Sequence, residues 1–265
     1  MTAIAVTIAG SDSGGGAGIQ ADLKTFSALG VYGASVITAL TAQNTLGVQA
    51  IHDVPADFIA AQMDSVFSDL AVGAVKIGML SQVSVIETVA AGLDRHRAAN
   101  IVLDPVMVAT SGDRLLNPDA VSALRNVLIP RAALVTPNLL EAAALLDQPV
   151  ALGEDDMLAQ GQALIARGAK AVLMKGGHGQ GERSTDLLVA PGSVVRLDAP
   201  RIDTRNTHGT GCTLSSAVAA GLAKGFPLGQ AVAEAKDYVS AAIAASARLS
   251  IGKGHGPTHH FHAWW

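Results

Sequence analysis

The chain has 265 residues, of which 49% are hydrophobic and only 15% are charged, and its formal net charge is −4 at pH 7. This composition excludes intrinsic disorder, which needs low hydrophobicity and high charge. With 18 Lys and Arg residues against 22 Asp and Glu residues, and with 3% aromatic residues, the chain lacks the basic footprint of a nucleic-acid-binding protein. The low charge indicates elements buried on both sides, or surface covered by a partner subunit.

Cys212 is the single cysteine of the sequence, so an intramolecular disulfide cannot form and a cytoplasmic location is expected. No positive side chain precedes Lys24, which argues against a secretory signal peptide. The uncharged stretch over residues 25–52 is interrupted by glycine and amide residues and holds no apolar run long enough to span a bilayer. We therefore predict buried interior there and no membrane partner.

Short apolar runs along the chain predict strands. They are nearly continuous rather than alternating, which is typical of parallel strands covered on both faces. The predicted strands cover residues 4–9, 35–40, 74–77, 101–103, 132–135 and 170–174. A hairpin is also predicted within residues 185–197, where Pro191 and Gly192 favour a turn.

Helical periodicity fills most of the intervals between these strands. The first helix is predicted from Gly18 to about Leu29, where Gly30 can end it. Another helix follows Pro55, and the others are predicted over residues 83–97, 119–128, 139–146, 155–167, 210–224 and 228–249. Repeated strand–helix units without a linker predict a single α/β domain over residues 1–265, with a central, mostly parallel sheet and helices on both faces.

A glycine-rich loop over residues 10–18 follows the first predicted strand. Ligands of parallel sheets bind at the carboxyl ends of strands, and glycine lets the backbone approach a ligand closely. Residues 16–21 fit the G-x-G-x-x-A pattern, but no acid lies between Asp22 and Asp53 to bind a ribose, so a dinucleotide site is not favoured. The sequence also lacks the G-x-x-x-x-G-K-[ST] phosphate loop.

Polar residues follow several later strands. The amide of Gln43 could read the edge of a heterocycle, although a capped turn is the favoured interpretation of this residue alone. Asp104 could serve a metal-bound water, act as a general base or cap a turn.

Asn138 and Glu141 share one side of a helix start, where Glu141 could complete a capping box or hold magnesium through water. Lys175 lies in a glycine-rich turn over residues 175–179 that suits a phosphate, and a solvated surface lysine is the alternative.

The strongest local signal is the segment D-T-R-N-T-H-G-T-G-C-T over residues 203–213, which opens an alanine-rich helix. Gly209, Thr210 and Gly211 provide backbone N–H groups at the helix N-terminus, where they can bind an anion. Such donors stabilise the charge that develops on a phosphoryl group during transfer. Cys212 lies in the same turn, so we expect a lowered thiol pKa; a small buried residue is the alternative interpretation.

Together these segments resemble the hydroxymethylpyrimidine kinase / phosphomethylpyrimidine kinase family of thiamine biosynthesis, within the ribokinase-like superfamily. The resemblance covers essentially the whole chain. The matching segments are residues 10–25, 41–45, 76–80, 104–107, 136–141, 174–178 and 206–213, with the tail at 252–261.

The resemblance implies a ribokinase-like three-layer sandwich, ATP and Mg²⁺ as cosubstrates, and a homodimer. It also implies two reactions. The first phosphorylates the hydroxymethyl group of 4-amino-5-hydroxymethyl-2-methylpyrimidine, and the second converts the monophosphate to the diphosphate.

Site residues are implied by their positions in the matching segments. Gln43 is expected to bind the aminopyrimidine edge. The same pocket is expected to be lined by Gly10, Ala17, Asp22, Met79 and Val106. The ATP-binding residues are expected to be Asn138, Lys175 and Thr207, with Asp104 and Glu141 serving the magnesium ion. The anion hole is expected at Gly209, Thr210 and Gly211, with Cys212 facing the acceptor oxygen.

The resemblance departs from the wider superfamily at Cys212. Most ribokinase-like sugar kinases carry Asp as the general base where this chain has Cys212. Transfer to an alcohol removes the proton late in a loose transition state, whereas a phosphate acceptor is already anionic and needs no strong base. We therefore hypothesise that Cys212 assists the first phosphorylation more than the second.

The tail carries His255, His259, His260 and His262 without any cysteine or acid beside them, so we expect a segment packed on the domain or on a neighbour rather than a metal site. Three other functions stay open at this point: a pyridoxal-type vitamin kinase, a pyrimidine- or nucleotide-binding module without catalysis, and a hydrolase that pairs Cys212 with His208. Residues 14–18 and 176–181 are candidate lids.

Overall fold

The computed structural model describes residues 1–107, 116, 118–177 and 181–265. The strands in these ranges are β1 (Ile4–Ala9), β2 (Tyr32–Ile37), β3 (Ala39–Asn44), β4 (Gly47–Asp53), β5 (Ala74–Ile77), β6 (Ile101–Leu103), β7 (Leu134–Val135), β8 (Val172–Lys175), β9 (Arg183–Ala190) and β10 (Ser193–Pro200).

Within the described ranges, the main sheet has eight strands in the order β10-β9-β8-β7-β6-β5-β1-β2. All neighbours from β8 to β2 are parallel, whereas β9 is antiparallel to both β8 and β10 at the opposite edge. The predicted mostly parallel sheet is therefore confirmed. The hairpin predicted around Pro191 and Gly192 is confirmed as β9 and β10, which pair over their full lengths.

Helices cover both faces of this sheet. They are α1 (Gly18–Ala28), α2 (Ala56–Asp69), α3 (Val83–Arg95), α4 (Pro118–Ala123), α5 (Leu139–Leu146), α6 (Glu154–Ala166), α7 (Thr210–Ala223) and α8 (Leu228–Ala244), with short helical turns at Leu124–Leu128, Ile129–Arg131 and Ala245–Arg248.

The sheet separates two apolar layers. Helices α2 to α6 pack on one face, and α1, α7 and α8 pack on the other. Strand β1 contributes to both layers, because Val6 and Ile8 lie in the first and Ala5 in the second. A strand buried on both faces needs apolar side chains at successive positions, which explains the nearly continuous runs in the sequence. The predicted three-layer sandwich is confirmed.

The predicted strand over residues 35–40 is wrong in its extent. Strand β2 ends at Ile37, and Thr38 donates its N–H to the Ala9 carbonyl oxygen (3.0 Å) and its hydroxyl to the Met79 carbonyl oxygen (3.2 Å). The chain then enters a separate two-stranded sheet, β3 and β4. The apolar run continues across this break, so the local pattern concealed it. Gln43 therefore lies inside β3 of a hairpin and not beyond the end of a main-sheet strand.

Three further boundaries differ from the predictions. The helix predicted over 119–128 is α-helical only to Ala123 and then widens into a π-helical turn. The strand predicted over 132–135 is reduced to β7, and the one over 170–174 is shifted to β8, because strand ends depend on pairing with neighbours. Residues 178–180 lie outside the described residues; the turn at 175–179 includes two of them, and the lid candidate at 176–181 includes all three.

The tail packs on the domain, as expected. Thr258, His259 and His260 are buried. The indole N–H of Trp264 donates to the carbonyl oxygen of Ala28 at the end of α1 (3.3 Å). Among the helices of the described ranges, none combines the length and apolar character needed to cross a bilayer.

Candidate active site

A cavity of about 640 Å³ lies at the carboxyl ends of the parallel strands. Its wall includes residues that follow or end four of them: Gly10 after β1, Met79 after β5, Asp104 after β6 and Lys175 at the end of β8. Asn138, which follows β7, lines it as well. The cavity therefore lies at the edge of the sheet where ligands of parallel sheets bind.

The glycine-rich loop after β1 is organised around Asp12. The carboxylate accepts backbone N–H groups from Gly14 (2.8 Å), Gly16 (3.0 Å) and Ala17 (2.8 Å), and it lies 2.8 Å from Nε2 of His208. Burial opposes ionisation of Asp12, but the hydrogen bonds from His208 and the loop backbone hold its pKa below the usual value. Asp12 thus joins the first glycine loop to the loop before α7.

The segment before α7 forms the helix start that the sequence predicts. Gly209 is the N-cap of α7 at φ 78°, and a Cβ added there would overlap the carbonyl oxygen of Gly16. The Thr210 N–H donates to the Thr207 carbonyl oxygen (3.2 Å). The N–H groups of Gly211 and Cys212 lie in the first turn of α7, where the helix itself provides no acceptor. All five residues from Thr207 to Gly211 line the cavity, so the backbone segment that is expected to bind an anion borders it.

A charged cluster lies beside this helix start. The ammonium of Lys175 is 2.8 Å from the Asp104 carboxylate and 3.7 Å from the Glu141 carboxylate. Asp104 also accepts hydrogen bonds from the hydroxyls of Thr136 (3.1 Å) and Ser215 (3.2 Å). The surface-lysine alternative for Lys175 is wrong, because the side chain is largely buried between the two acids.

Asn138 and Glu141 form a complete capping box at the start of α5. The Glu141 N–H donates to the Asn138 side chain (2.9 Å), and the Asn138 N–H donates to the Glu141 carboxylate (2.7 Å). Both residues nevertheless line the cavity. The capping interpretation and the functional interpretation of this pair are therefore compatible, because the cap orients the carboxylate toward Lys175.

The cluster has unusual protonation properties. Burial raises the pKa of Glu141 to about 7; the Lys175 ammonium opposes this, and the Asp104 carboxylate adds to it. Burial also disfavours the charged form of Asp104, but Lys175 and Lys76 outweigh it and hold the pKa of Asp104 below its usual value. Two acids therefore share one close ammonium, and added positive charge would be favourable here.

Asp22 is not where the resemblance implies. Its carboxylate is fully buried and does not line the cavity. It accepts hydrogen bonds from Thr7 (2.6 Å), Lys76 (2.9 Å) and Ser216 (2.7 Å). These three donors hold the carboxylate between β1, β5 and α7, behind the wall of the pocket.

Lys76 is a cavity residue to which the sequence analysis assigned no role. Its side chain is inaccessible to solvent and pairs with Asp22. Burial works against the charged ammonium, but the surrounding carboxylates raise the pKa of Lys76 above its usual value. An isolated lysine within an apolar strand could have signalled this buried charge.

The prediction of a lowered Cys212 pKa is wrong. Burial raises the pKa of the thiol to about 11, with Asp22 and Asp104 adding to the shift, while Lys76 and the Gly18 N–H oppose it. The helix N-terminus does not overcome the desolvation and the two nearby carboxylates. The hydrolase interpretation loses its support as well, because the thiol is neutral and His208 Nε2 is engaged by Asp12.

One end of the cavity contains most of the residues expected to bind the pyrimidine. Gln43, Gly10, Ala17, Met79 and Val106 all line it. Gln43 lies where the β3–β4 register shifts at Ala42/Gln43, and such a bulge redirects a side chain. Its amide oxygen lies 3.2 Å from the Thr41 hydroxyl.

The opposite end was missed by the sequence analysis. Its apolar wall comes from α7, α8 and the segment at the end of β10, with Leu214, Val239, Ile243, Ala199 and Ile202. Beneath it, the Lys236 ammonium lies 2.7 Å from Asp186, whose other oxygen accepts the Gly176 N–H (2.9 Å). An apolar helix face that lines a pocket has the same pattern as one that packs in a core, so the sequence offered no signal beyond Lys236 itself.

These features point to one kind of chemistry. A helix start with backbone N–H groups, a lysine beside two acids and a cavity that is lined both by polar strand ends and by apolar helix residues suit phosphoryl transfer between a nucleotide and a small acceptor. The class of protein that they indicate is that of small-molecule kinases.

Comparison with known proteins identifies the family. The sequence model of the family described as Phosphomethylpyrimidine kinase matches residues 12–259, and the chain belongs to this family. It is 63% identical over 265 residues to a hydroxymethylpyrimidine/phosphomethylpyrimidine kinase of Rhizobium meliloti, covering 100% of this chain and 99% of that protein. A protein of the same name from Salmonella typhimurium is 58% identical over 261 residues, with 98% of each chain covered.

Solved structures agree with this assignment. An ADP complex of Bacillus subtilis pyridoxal kinase has a TM-score of 0.92 at 38% identity and covers 99% of both chains. Phosphomethylpyrimidine kinase from Clostridium difficile has a TM-score of 0.81 at 44% identity, covering 91% of this chain and 99% of the other. The ribokinase-like fold is thereby confirmed.

Proposed function

We propose that this protein is an ATP-dependent kinase of thiamine biosynthesis that phosphorylates 4-amino-5-hydroxymethyl-2-methylpyrimidine and then converts the monophosphate to the diphosphate. Full-length similarity to kinases named for both reactions supports the two steps. The observation that carries the proposal is that Gln43, the anion hole and the Lys175 cluster all line one cavity. A binding module without catalysis would not need this combination.

The pyrimidine is proposed to bind at the end that contains Gln43. A side-chain amide offers one donor and one acceptor side, which matches the amino group and the adjacent ring nitrogen of an aminopyrimidine. The apolar side chains of Met79 and Val106 suit the ring faces. The hydroxymethyl group would then point toward the start of α7.

ATP is proposed to bind along Asn138, Lys175 and Thr207, with its base against the apolar wall formed by α7 and α8. A neighbouring fold has been solved with ADP, and another, the pyridoxal kinase of Staphylococcus aureus, with AMP-PCP, which supports a nucleotide site in this architecture. The Lys175 ammonium is held by Asp104 at 2.8 Å, so it is already oriented for a phosphate oxygen.

Asp104 and Glu141 are proposed to serve magnesium that accompanies ATP. Their chemistry fits, because two buried carboxylates share one close ammonium and the pKa of Glu141 is raised to about 7. Mg²⁺ commonly takes one or two carboxylates together with phosphate oxygens and waters. When bound, magnesium supplies charge neutralisation on the phosphates.

The start of α7 is proposed to stabilise the transferring phosphoryl group. Gly211 and Cys212, at the positive end of the helix, line the cavity. One backbone donor to the transferring group is typically worth about 3–4 kcal/mol in the transition state. The neutral Cys212 thiol is a weak base. Positioning and charge neutralisation therefore carry most of the rate, and the alcohol loses its proton late in the transfer.

We also propose a homodimer of single-domain chains in the cytoplasm. The two helix layers share one sheet, which supports one domain. Exposed apolar side chains on β2 and the β3–β4 hairpin, among them Tyr32, Leu40, Leu46 and Ile51, support a subunit interface there. A free thiol in a protein that uses ATP suits a reducing compartment.

The experiment that tests the activity compares two alcohols. Initial rates with Mg·ATP are measured for the hydroxymethylpyrimidine and for pyridoxal, and the values of kcat/KM are compared. The proposal expects a higher kcat/KM for the hydroxymethylpyrimidine.

A pyridoxal kinase is the second candidate, favoured by the TM-score of 0.92 to pyridoxal kinase from Bacillus subtilis. A higher kcat/KM for pyridoxal would favour that candidate. ATP binding without transfer to either alcohol would favour the non-catalytic module.

A further inference from the structure

The C-terminal tail contacts both halves of the acceptor site. We use the name strap for residues 252–260. The strap runs from the turn of the β3–β4 hairpin, which carries Gln43, to the loop and first turn of α7, which form the anion hole. The chemistry proposed above does not use these residues.

At the hairpin, the strap is bound through Thr45. The Thr45 hydroxyl oxygen accepts the backbone N–H groups of Lys253 and Gly254, both at 3.1 Å. The N–H of His255 donates to the Thr45 carbonyl oxygen at 3.0 Å. Thr45 is two residues from Gln43 along the chain, so the strap holds the end of the hairpin that bears the proposed pyrimidine ligand.

Alternate glycines allow this close approach. A Cβ added at Gly254 would overlap the Thr45 carbonyl oxygen, and one added at Gly256 would overlap the Asn206 side chain. The first overlap involves backbone, which cannot move aside cheaply. Gly254 thereby allows a backbone-to-backbone contact with Thr45, and Gly256 leaves room for the Asn206 side chain.

At the anion hole, the strap is bound on both sides of His208. The His208 N–H donates to the Gly256 carbonyl oxygen (3.0 Å), and the Thr258 N–H donates to the His208 carbonyl oxygen (3.4 Å). Further along, His260 Nε2 lies 3.1 Å from the Thr213 hydroxyl, which donates to the Gly209 carbonyl oxygen (2.8 Å). The strap is therefore linked, through the Thr213 hydroxyl, to the carbonyl oxygen of Gly209.

We propose that the strap is a positioning element of the active site, and that Thr45 is a positioning residue that keeps Gln43 in register with the anion hole. A two-stranded hairpin is marginally stable by itself, so its position relative to α7 depends on such ties. The inference rests on the proposed function, because it takes Gln43 as the ligand of the acceptor.

The test compares Thr45→Val with Thr45→Ser, which keeps the hydroxyl. Thr45→Val should raise KM for the hydroxymethylpyrimidine about fivefold, while KM for ATP and kcat stay within about twofold. Thr45→Ser should behave like the wild type. Gly254→Ala should raise KM for the pyrimidine at least as much, because it forces the strap away from the hairpin.

The exposed Glu87 on α3, away from the cavity and from the proposed interface, supplies the control. Glu87→Ala should leave both KM values unchanged. An unchanged pyrimidine KM in Thr45→Val, or an equal rise in both KM values, would overturn the proposal.

A second measurement does not depend on activity. Amide hydrogen exchange is compared between ligand-free wild type and Thr45→Val. The proposal expects faster exchange both in the hairpin turn and at the His208 amide, which lies at the other end of the strap. Faster exchange at Lys253 and Gly254 alone would overturn it. If the wild type shows no transfer to the pyrimidine, the proposed function fails, and this comparison still decides whether the strap couples the two loops.

The sequence contains two tryptophans, and both are in the tail beyond the strap. Trp265 lies with its ring centroid 4.5 Å from that of His259. Their fluorescence therefore reports whether the tail remains docked in each variant, which separates loss of positioning from loss of folding.

Discussion

The ion pair between Lys76 and Asp22 sets the electrostatics beneath Cys212. Both charges are removed from water, and Thr7 and Ser216 complete the coordination of Asp22. Burial raises the pKa of the thiol, and Asp22 and Asp104 add to this shift; Lys76 opposes it but does not cancel it. The position of Cys212 at a helix start could be seen in the sequence, whereas the charges around it come from distant segments.

Replacing Cys212 by Ser tests its role in each step. We expect a larger loss of kcat with the alcohol than with the monophosphate, because only the alcohol must lose a proton. Since the thiol is neutral, the loss on the alcohol should be about tenfold, below the range typical of a general base. Separate rate constants for the two acceptors provide the measurement, and equal losses would contradict the hypothesis.

Glu141 should impose a pH dependence on the use of Mg·ATP. Its pKa is raised to about 7, so the carboxylate is protonated below that pH and ionised above it. Ionisation favours a cation, so kcat/KM for Mg·ATP should rise between pH 6 and pH 8, through the pKa of about 7. The variant Glu141→Gln should have a lower and flatter profile in this range. A wild-type rise that persists unchanged in the variant would assign it to another group.

The buried pair itself should be important for stability. Lys76→Met leaves the Asp22 carboxylate without its counter-charge, which typically costs about 3–5 kcal/mol. The free energy of unfolding, measured by urea titration, should fall by that amount. Adding Asp22→Asn to this variant should recover part of the loss, because the uncompensated charge is then removed. A loss below about 1 kcal/mol would show that Asp22 remains solvated or finds another partner.

At the scale of elements, the sequence predicted the main sheet well because its strands are buried on both faces. It failed at β3 and β4. The apolar run from Val36 to Leu40 continues through the turn at Thr38, and the hydrogen bonds that make this turn involve Ala9 and Met79. In both hydrogen bonds Thr38 is the donor and a carbonyl oxygen distant in sequence is the acceptor, and such long-range contacts have no local signature. The start of α7 was predictable because glycine and threonine at a helix N-terminus are a local signal.

The glycine at the start of α7 provides the sharpest test at this scale. Gly209 has φ 78°, and an added Cβ would overlap the Gly16 carbonyl oxygen. Gly209→Ala should therefore displace the anion hole and lower kcat about 100-fold for both acceptors. Gly229→Ala is the matched control, because a Cβ there meets nothing within 4 Å. Activity within threefold of wild type in Gly209→Ala would argue against the anion hole.

Across the whole molecule, the site is assembled from the carboxyl ends of the parallel strands, the hairpin and the start of α7. The sequence could indicate these because each contains a polar or glycine-rich motif after a strand. It could not indicate the wall formed by α7, α8 and β10, because apolar residues there have the same pattern as core residues. Nor could it locate Asp22 behind the pocket, since its distance from the cavity depends on how β1, β5 and α7 pack.

The proposed function requires one cavity to carry out two successive phosphoryl transfers. The most direct measurement is a mass-spectrometric time course of the purified protein with Mg·ATP and the hydroxymethylpyrimidine, beside Lys175→Met verified as folded. We expect that the monophosphate appears first, that the diphosphate follows, and that Lys175→Met loses both activities in similar proportion. A reaction that stops at the monophosphate, or a variant that loses one step and keeps the other, would contradict it.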